Sequence, residues 1–109
     1  MDNAEMQKRM RQNRFVRNNG MVIRAINSLR FKYVDLAELA DGLSASIPEN
    51  ELIDCINYLS RSGYLELRTK RSHEVKYLSD ADFEELEALV LPKGVQLLNG
   101  KITDPCIDV

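Results

Sequence analysis

The chain has 109 residues, 44% of them hydrophobic and 29% charged, which suits one globular domain with its own core and excludes a disordered segment. No apolar run approaches the roughly 18–20 residues that cross a bilayer. The opening Met1-Asp2-Asn3-Ala4-Glu5 is not a hydrophobic leader, so a cytoplasmic protein with no membrane partner is expected. The net charge of −2 conceals a division: residues 1–32 sum to +6 and residues 33–109 to −8. A basic end of this kind meets either a polyanion or the acidic end of another copy.

In chain order, residues 2–17 read as a basic helical segment with Met6 and Met10 four apart, a thin apolar stripe expected to touch the domain. Asn18-Asn19-Gly20 reads as a break, with Asn as a competent N-cap for a new helix. The spacing Met21, Val22, Ala25, Ile26, Leu29 predicts a first amphipathic helix ending near Phe31. Asp35, with Glu38 three residues on, predicts the capped start of a short second helix whose apolar face is Leu36, Leu39, Ala40 and Leu43, with Gly42 near its end. Ser46 offers a cap for a third helix, with Pro48 and Glu49 in its first turn and Leu52, Ile53, Ile56 and Leu59 on its buried face. Gly63 supplies the left-handed residue that ends it.

Tyr64-Leu65-Glu66-Leu67-Arg68 alternates as a half-buried strand. Residues 79–86 look locally like a capped helix start, but Leu91-Pro92 requires extended chain before the proline, so residues 85–91 are expected to be the returning strand. Residues 72–84 are left open between an ordered insertion and a mobile loop. Val95, Leu97 and Leu98 predict a short terminal helix stopped by Asn99-Gly100, and residues 101–109 carry no pattern of their own.

Catalytic chemistry finds little support. There is no Gly-rich phosphate loop or nucleophile elbow, and His73 is the single histidine, so an enzyme is not expected. Cys55 and Cys106 with one histidine cannot furnish four zinc ligands, so neither a metal nor any other cofactor is expected. Cys55 reads as a small hydrophobe at the edge of the core, His73 as a loop residue, and Tyr33, Tyr58, Tyr64 and Tyr77 as core-edge aromatics.

Two stretches carry a resemblance: Ile56-Asn57-Tyr58-Leu59-Ser60-Arg61-Ser62-Gly63-Tyr64-Leu65, and Leu89-Val90-Leu91-Pro92-Lys93-Gly94-Val95-Gln96-Leu97-Leu98. From about Asn19 to Gly100 the chain resembles the winged helix-turn-helix superfamily. The second stretch looks like the phrase that closes the wing in many bacterial regulators. The ending Gly100-Lys101-Ile102-Thr103-Asp104-Pro105 looks like small winged-helix proteins of bacteriophages and prophages. The implied architecture is mainly α with a small β-hairpin (α+β): a basic N-terminal helix or arm over 1–18, a winged-helix domain over 19–100 and a tail over 101–109.

The resemblance implies that the third helix enters the major groove of double-stranded DNA. Its outward positions are Glu49, Asn50, Asp54, Asn57 and Arg61, of which Asn50, Asn57 and Arg61 are candidate base readers, because Asn pairs bidentately with adenine and Arg with guanine. Arg68, Lys70 and Arg71 in the wing suit phosphates, as do Lys8, Arg9, Arg11, Arg14 and Arg17 in the arm. Against this, Glu49, Glu51 and Asp54 put three carboxylates on the first half of the reading helix, where each opposes phosphate. The resemblance therefore implies a transcriptional regulator or prophage accessory factor, monomeric or a homodimer. The alternative is a module that docks a protein partner, or dimerises, through the acidic face of the third helix.

Overall fold

The computed structural model describes residues 2–109. The first element, α1 (Asn3–Asn27), is a single helix of 25 residues whose N-terminus is capped by the Asp2 carboxylate accepting from the Glu5 N–H at 2.7 Å. The expected break at Asn18-Asn19-Gly20 does not occur, because these residues are buried at mid-helix and find tertiary partners there. The Asn18 amide donates to Glu51 at 3.3 Å and the Asn19 amide to the Cys106 carbonyl at 3.0 Å. At Gly20 a Cβ would stand 1.8 Å from the Asp108 carbonyl oxygen, so only glycine admits the C-terminal tail. Local preference for a turn is thus outweighed by packing. The helix also ends at Asn27, short of the expected Phe31, and turns carry the chain through residues 28–32.

The division at residue 18 therefore falls inside a continuous helix. Residues 2–13 are exposed throughout, so the Met6–Met10 stripe, expected to touch the domain, faces solvent instead. From residue 14 onward α1 packs on the body, where Val22, Ile23 and Ile26 enter the core.

Strand β1 (Val34–Asp35) leads directly into α2 (Leu36–Leu43), and Asp35 caps α2 as its position implies, accepting from Ala37 N–H at 2.9 Å and Glu38 N–H at 3.5 Å. The next helix, α3 (Glu49–Arg61), starts without the expected Ser46 cap; Pro48 flanks it and no side chain caps it. Its Leu52, Cys55, Ile56 and Leu59 are fully buried, so Cys55 belongs to the core interior and not to its edge. Burial pushes the Cys55 thiol up to about 12, which makes it an inert apolar group. Gly63, at φ +83°, turns the chain out of α3 as its identity requires.

Strands β2 (Leu65–Thr69) and β3 (Leu86–Val90) pair antiparallel, with Leu65 opposite Val90 and Leu67 opposite Ala88. Leu65, Leu67, Leu86, Ala88 and Val90 point to the core, while Glu66, Arg68 and Glu87 lie on the outer face. The short β1, which no sequence pattern announced, adds to the other edge of β3 and makes the order β1-β3-β2. Residues 72–84 form an ordered excursion: Thr69 N–H donates to the Glu74 carbonyl, Lys76 N–H to that of Leu67, and a 3-10 turn at Phe83–Glu85 buries Phe83. Helix α4 (Pro92–Leu98) closes the sequence of elements. Among the described residues the fold is thus α+β, with four α-helices and a three-stranded antiparallel sheet.

The tail is part of this fold. Ile107 is buried, and the Asp104 carboxylate accepts the hydroxyls of Tyr58 (from α3) and Tyr64 (before β2) at 2.8 Å, together with the Cys106 N–H. Burial works against the charge of Asp104, but these three donors outweigh it and hold its carboxyl below the ordinary carboxylate value. The same burial, and the bond to Asp104, pushes the Tyr64 hydroxyl up to about 12 and raises that of Tyr58 as well.

Candidate nucleic-acid interface

The exposed side of α3 carries Asn50, Asp54, Asn57 and Arg61, spaced four, three and four residues apart and therefore on one face. The opposite side, Leu52, Ile56 and Leu59, is locked in the core, which fixes the direction in which the outer face looks. Glu49 and Glu51 occupy the first turn, where negative charge complements the helix dipole.

Beside this first turn runs α1. Arg11, Arg14, Phe15 and Asn18 of α1 and Asn50, Glu51 and Asp54 of α3 line an open cleft of about 210 Å³. Arg14 reaches Glu51 at 3.4 Å, and the Asn18 amide contacts the same carboxylate oxygen. Phe15 meets the Tyr58 ring edge-on at 5.5 Å between centroids, which anchors this part of α1 against α3. The fold thus places part of the basic segment alongside the expected reading face. One of that face's three carboxylates is engaged by an arginine from the arm.

The remaining arm cations stand differently. Lys8, Arg9, Arg11 and Arg17 are exposed, and Arg9 pairs along the helix with Glu5 at 3.5 Å. A surface pair of this kind is worth only about 0.3–0.5 kcal/mol and yields readily to a competing anion.

The hairpin departs most from expectation. Arg68 forms a 2.6 Å ion pair with Glu87, its partner across the ladder, and its guanidinium lies 3.4 Å above the Tyr33 ring. Tyr33 in turn donates its hydroxyl to Glu66, a bond that raises the hydroxyl's pKa. Lys70 pairs with Asp35 at 3.1 Å. Burial opposes the charge on Asp35, but Lys70 and the two N–H donors of α2 prevail, and its carboxyl falls below the ordinary value. Of the three wing cations only Arg71 is exposed and free of an ion pair among the described residues. It lines a shallow recess of about 530 Å³ with Thr69, Lys70, Ser72, Glu84 and Glu85.

Arg61 also differs from a free base reader. It donates to the Ser79 hydroxyl at 3.1 Å and stacks 4.2 Å over the Tyr77 ring, tying the end of α3 to the excursion between β2 and β3. Asn50 and Asn57 remain exposed. Sequence reasoning did not find the carboxylates that neutralise the cations (Glu51, Glu87, Asp35), because each pairing joins residues 19 to 37 apart in the chain. The one local signal was the alternation of β2, which puts Glu66 and Arg68 on a common outer face.

Among the described residues, no group of three or more His, Cys, Asp or Glu side chains is placed to hold a metal ion, and no helix is long and apolar enough to cross a membrane. Comparison with protein-family models, curated proteins and solved structures finds no match to this chain.

Proposed function

We propose that this chain is a winged-helix module that binds duplex DNA, with α3 lying in the major groove and the basic face of α1 following the adjoining backbone. The element order α1-β1-α2-α3-β2-β3 and the strand order β1-β3-β2 support the fold reading. The observation that carries the function is the α1–α3 cleft, in which Arg11 and Arg14 stand beside Asn50 and Arg14 holds Glu51. Engaged by Arg14, Glu51 no longer stands as a free charge against phosphate. Asn50 and Asn57 are the base readers in this scheme. Lys8, Arg11 and Arg71 hold phosphates, while Arg68 and Lys70 maintain the hairpin. A role as a transcriptional regulator or a prophage-borne accessory factor rests on the resemblance of Leu89–Leu98 and Gly100–Pro105.

Asp54→Lys tests this assignment. Asp54 is exposed beside Asn50 and Asn57, so the change from −1 to +1 should tighten binding to mixed-sequence duplex and steepen its salt dependence. Weaker binding by the lysine variant would place DNA elsewhere.

A second reading is favoured by the hairpin, where Glu87 and Asp35 already satisfy Arg68 and Lys70. A wing so neutralised suits protein docking through the acidic side of α3. In that case Asp54→Lys abolishes partner binding or self-association and leaves DNA affinity negligible.

A further inference from the structure

The first turns of α1 carry a face that the rest of the fold does not use. Met6 and Met10 are 48% and 54% exposed. At about 100° per residue, Asn13 and Arg17 continue their stripe, with Arg9 at its border, whereas Lys8 and Arg11 fall about 200° and 140° around the helix from Met6. Helical turns with no packing partner are marginal in water, so this stripe calls for a surface to cover it.

A matching surface lies on α2. Leu29, Val34, Leu39 and Leu43 line an open cleft of about 240 Å³, with Glu38 and Gly42 completing it. Leu29 is itself 47% exposed, and nothing lies within 4 Å of where a Gly42 side chain would begin. Asp41 is exposed next to the cleft, and α2 packs against the 3-10 turn that presents Glu84 and Glu85. None of these four carboxylates is ion-paired among the described residues.

We propose that the Met6–Met10 stripe of one copy docks into the α2 cleft of a second copy, and reciprocally, forming a two-fold dimer. Unbranched methionines adapt to an irregular apolar groove, while Arg9 and Arg17 meet Glu38 and Asp41. The acidic first turn of the arm, Asp2 and Glu5, extends the match toward Arg30 and Lys32. The arm cannot reach its own cleft. Met10 lies 17 helical residues, about 26 Å, from the Asn27 end of the same continuous helix, and Leu29 sits just beyond that end. Pairing of arm with arm is opposed by like charge, since each carries Lys8, Arg9, Arg11, Arg14 and Arg17. Lys8 and Arg11, turned away from the stripe, stay available to phosphate, so the dimer is independent of the DNA reading and compatible with it.

Sedimentation velocity of the full chain, without DNA and over a concentration series, tests the interface. A reversible dimer of twice 12.5 kDa that weakens with salt is expected. Met6→Asp with Met10→Asp, both at exposed positions, should raise the dissociation constant at least about tenfold with an unchanged thermal melt. In a Cys106→Ser background, mixing Met10→Cys chains with Gly42→Cys chains should give an interchain disulfide that neither chain forms alone. A monomer at every concentration in low salt would overturn the proposal. So would a dimer indifferent to the aspartates, or a disulfide between two Met10→Cys chains. None of these results involves DNA, so each is separable from a failure of the DNA reading.

Discussion

Replacing Gly20 by alanine should destabilise the protein, although the same change on a free helix surface would stabilise it. In an exposed helix interior, alanine is better than glycine by about 1 kcal/mol. Here the new Cβ would meet the Asp108 carbonyl oxygen at 1.8 Å and its carbon at 2.9 Å, and both are backbone atoms that cannot rotate aside. The end of the tail must lift. With it go the burial of Ile107, worth about 2 kcal/mol, and the bonds from Asp108 N–H to Val16, from Asn19 to Cys106 and from Arg24 to Asp108, each worth about 1 kcal/mol net. The released tail regains conformational freedom, which offsets part of the loss. A net loss of about 1–3 kcal/mol, the usual range for overpacking, should appear as a lower urea midpoint. In a chain ending at residue 100 the clash is gone, and Gly20→Ala should stabilise by about 1 kcal/mol. A full-length Gly20→Ala protein as stable as the original, or more so, would refute the docked tail and the reason given for the glycine.

Asp104 contributes to the response to pH at both ends. Its folded carboxyl lies below the ordinary value, so its contribution is present above about pH 4 and is lost as the pH falls further, while the raised Tyr64 and Tyr58 hydroxyls contribute below about pH 10 and lose that contribution as the pH rises through about 12 for Tyr64. Asp104→Asn should therefore flatten both limbs of a stability–pH profile measured by chemical denaturation, though Asp35 will leave part of the acid limb in place. In the hairpin, Arg71→Ala should lower the salt slope of DNA binding by about 1, whereas Arg68→Ala should change the slope little and lower the thermal midpoint, because Arg68 holds Glu87 and the Tyr33 ring.

Much of the fold was legible where local chemistry determines structure. Asp35 with Glu38 announced the start of α2 and Gly63 the end of α3, and Leu91-Pro92 pointed to extended chain over residues 85–91, of which 86–90 form β3 while Glu85 closes a 3-10 turn within the helix-like Ser79–Leu86. The reading failed where distant residues decide. Asn18-Asn19-Gly20 has the composition of a break, yet contacts with Glu51, Cys106 and Asp108 hold it within α1. Two-residue β1 is too short to show a period and exists because β3 offers it an edge. The tail looked patternless because its role rests on one carboxylate and one isoleucine meeting partners distant in the chain, with Tyr58 and Tyr64 46 and 40 residues from Asp104. For the interface, the sequence marked the charged positions but not their pairing. Opposite charges cancel at Arg14–Glu51, which joins the basic and acidic halves, and at Arg68–Glu87 and Lys70–Asp35 within the acidic half, and only the fold reveals which cations are left over.

Those left-over cations define the most direct test. Fluorescence anisotropy of mixed-sequence duplex DNA should be titrated across a salt series with the full chain and with the Lys8→Ala, Arg11→Ala variant, which spares the Arg14–Glu51 and Phe15–Tyr58 contacts. If α1 follows the DNA backbone, the full chain binds at low salt, affinity falls linearly with the logarithm of salt, and the double variant loses up to about two units of slope. No binding at low salt, or a slope unchanged in the variant, would contradict the assignment of α1 and α3 as a DNA-binding surface.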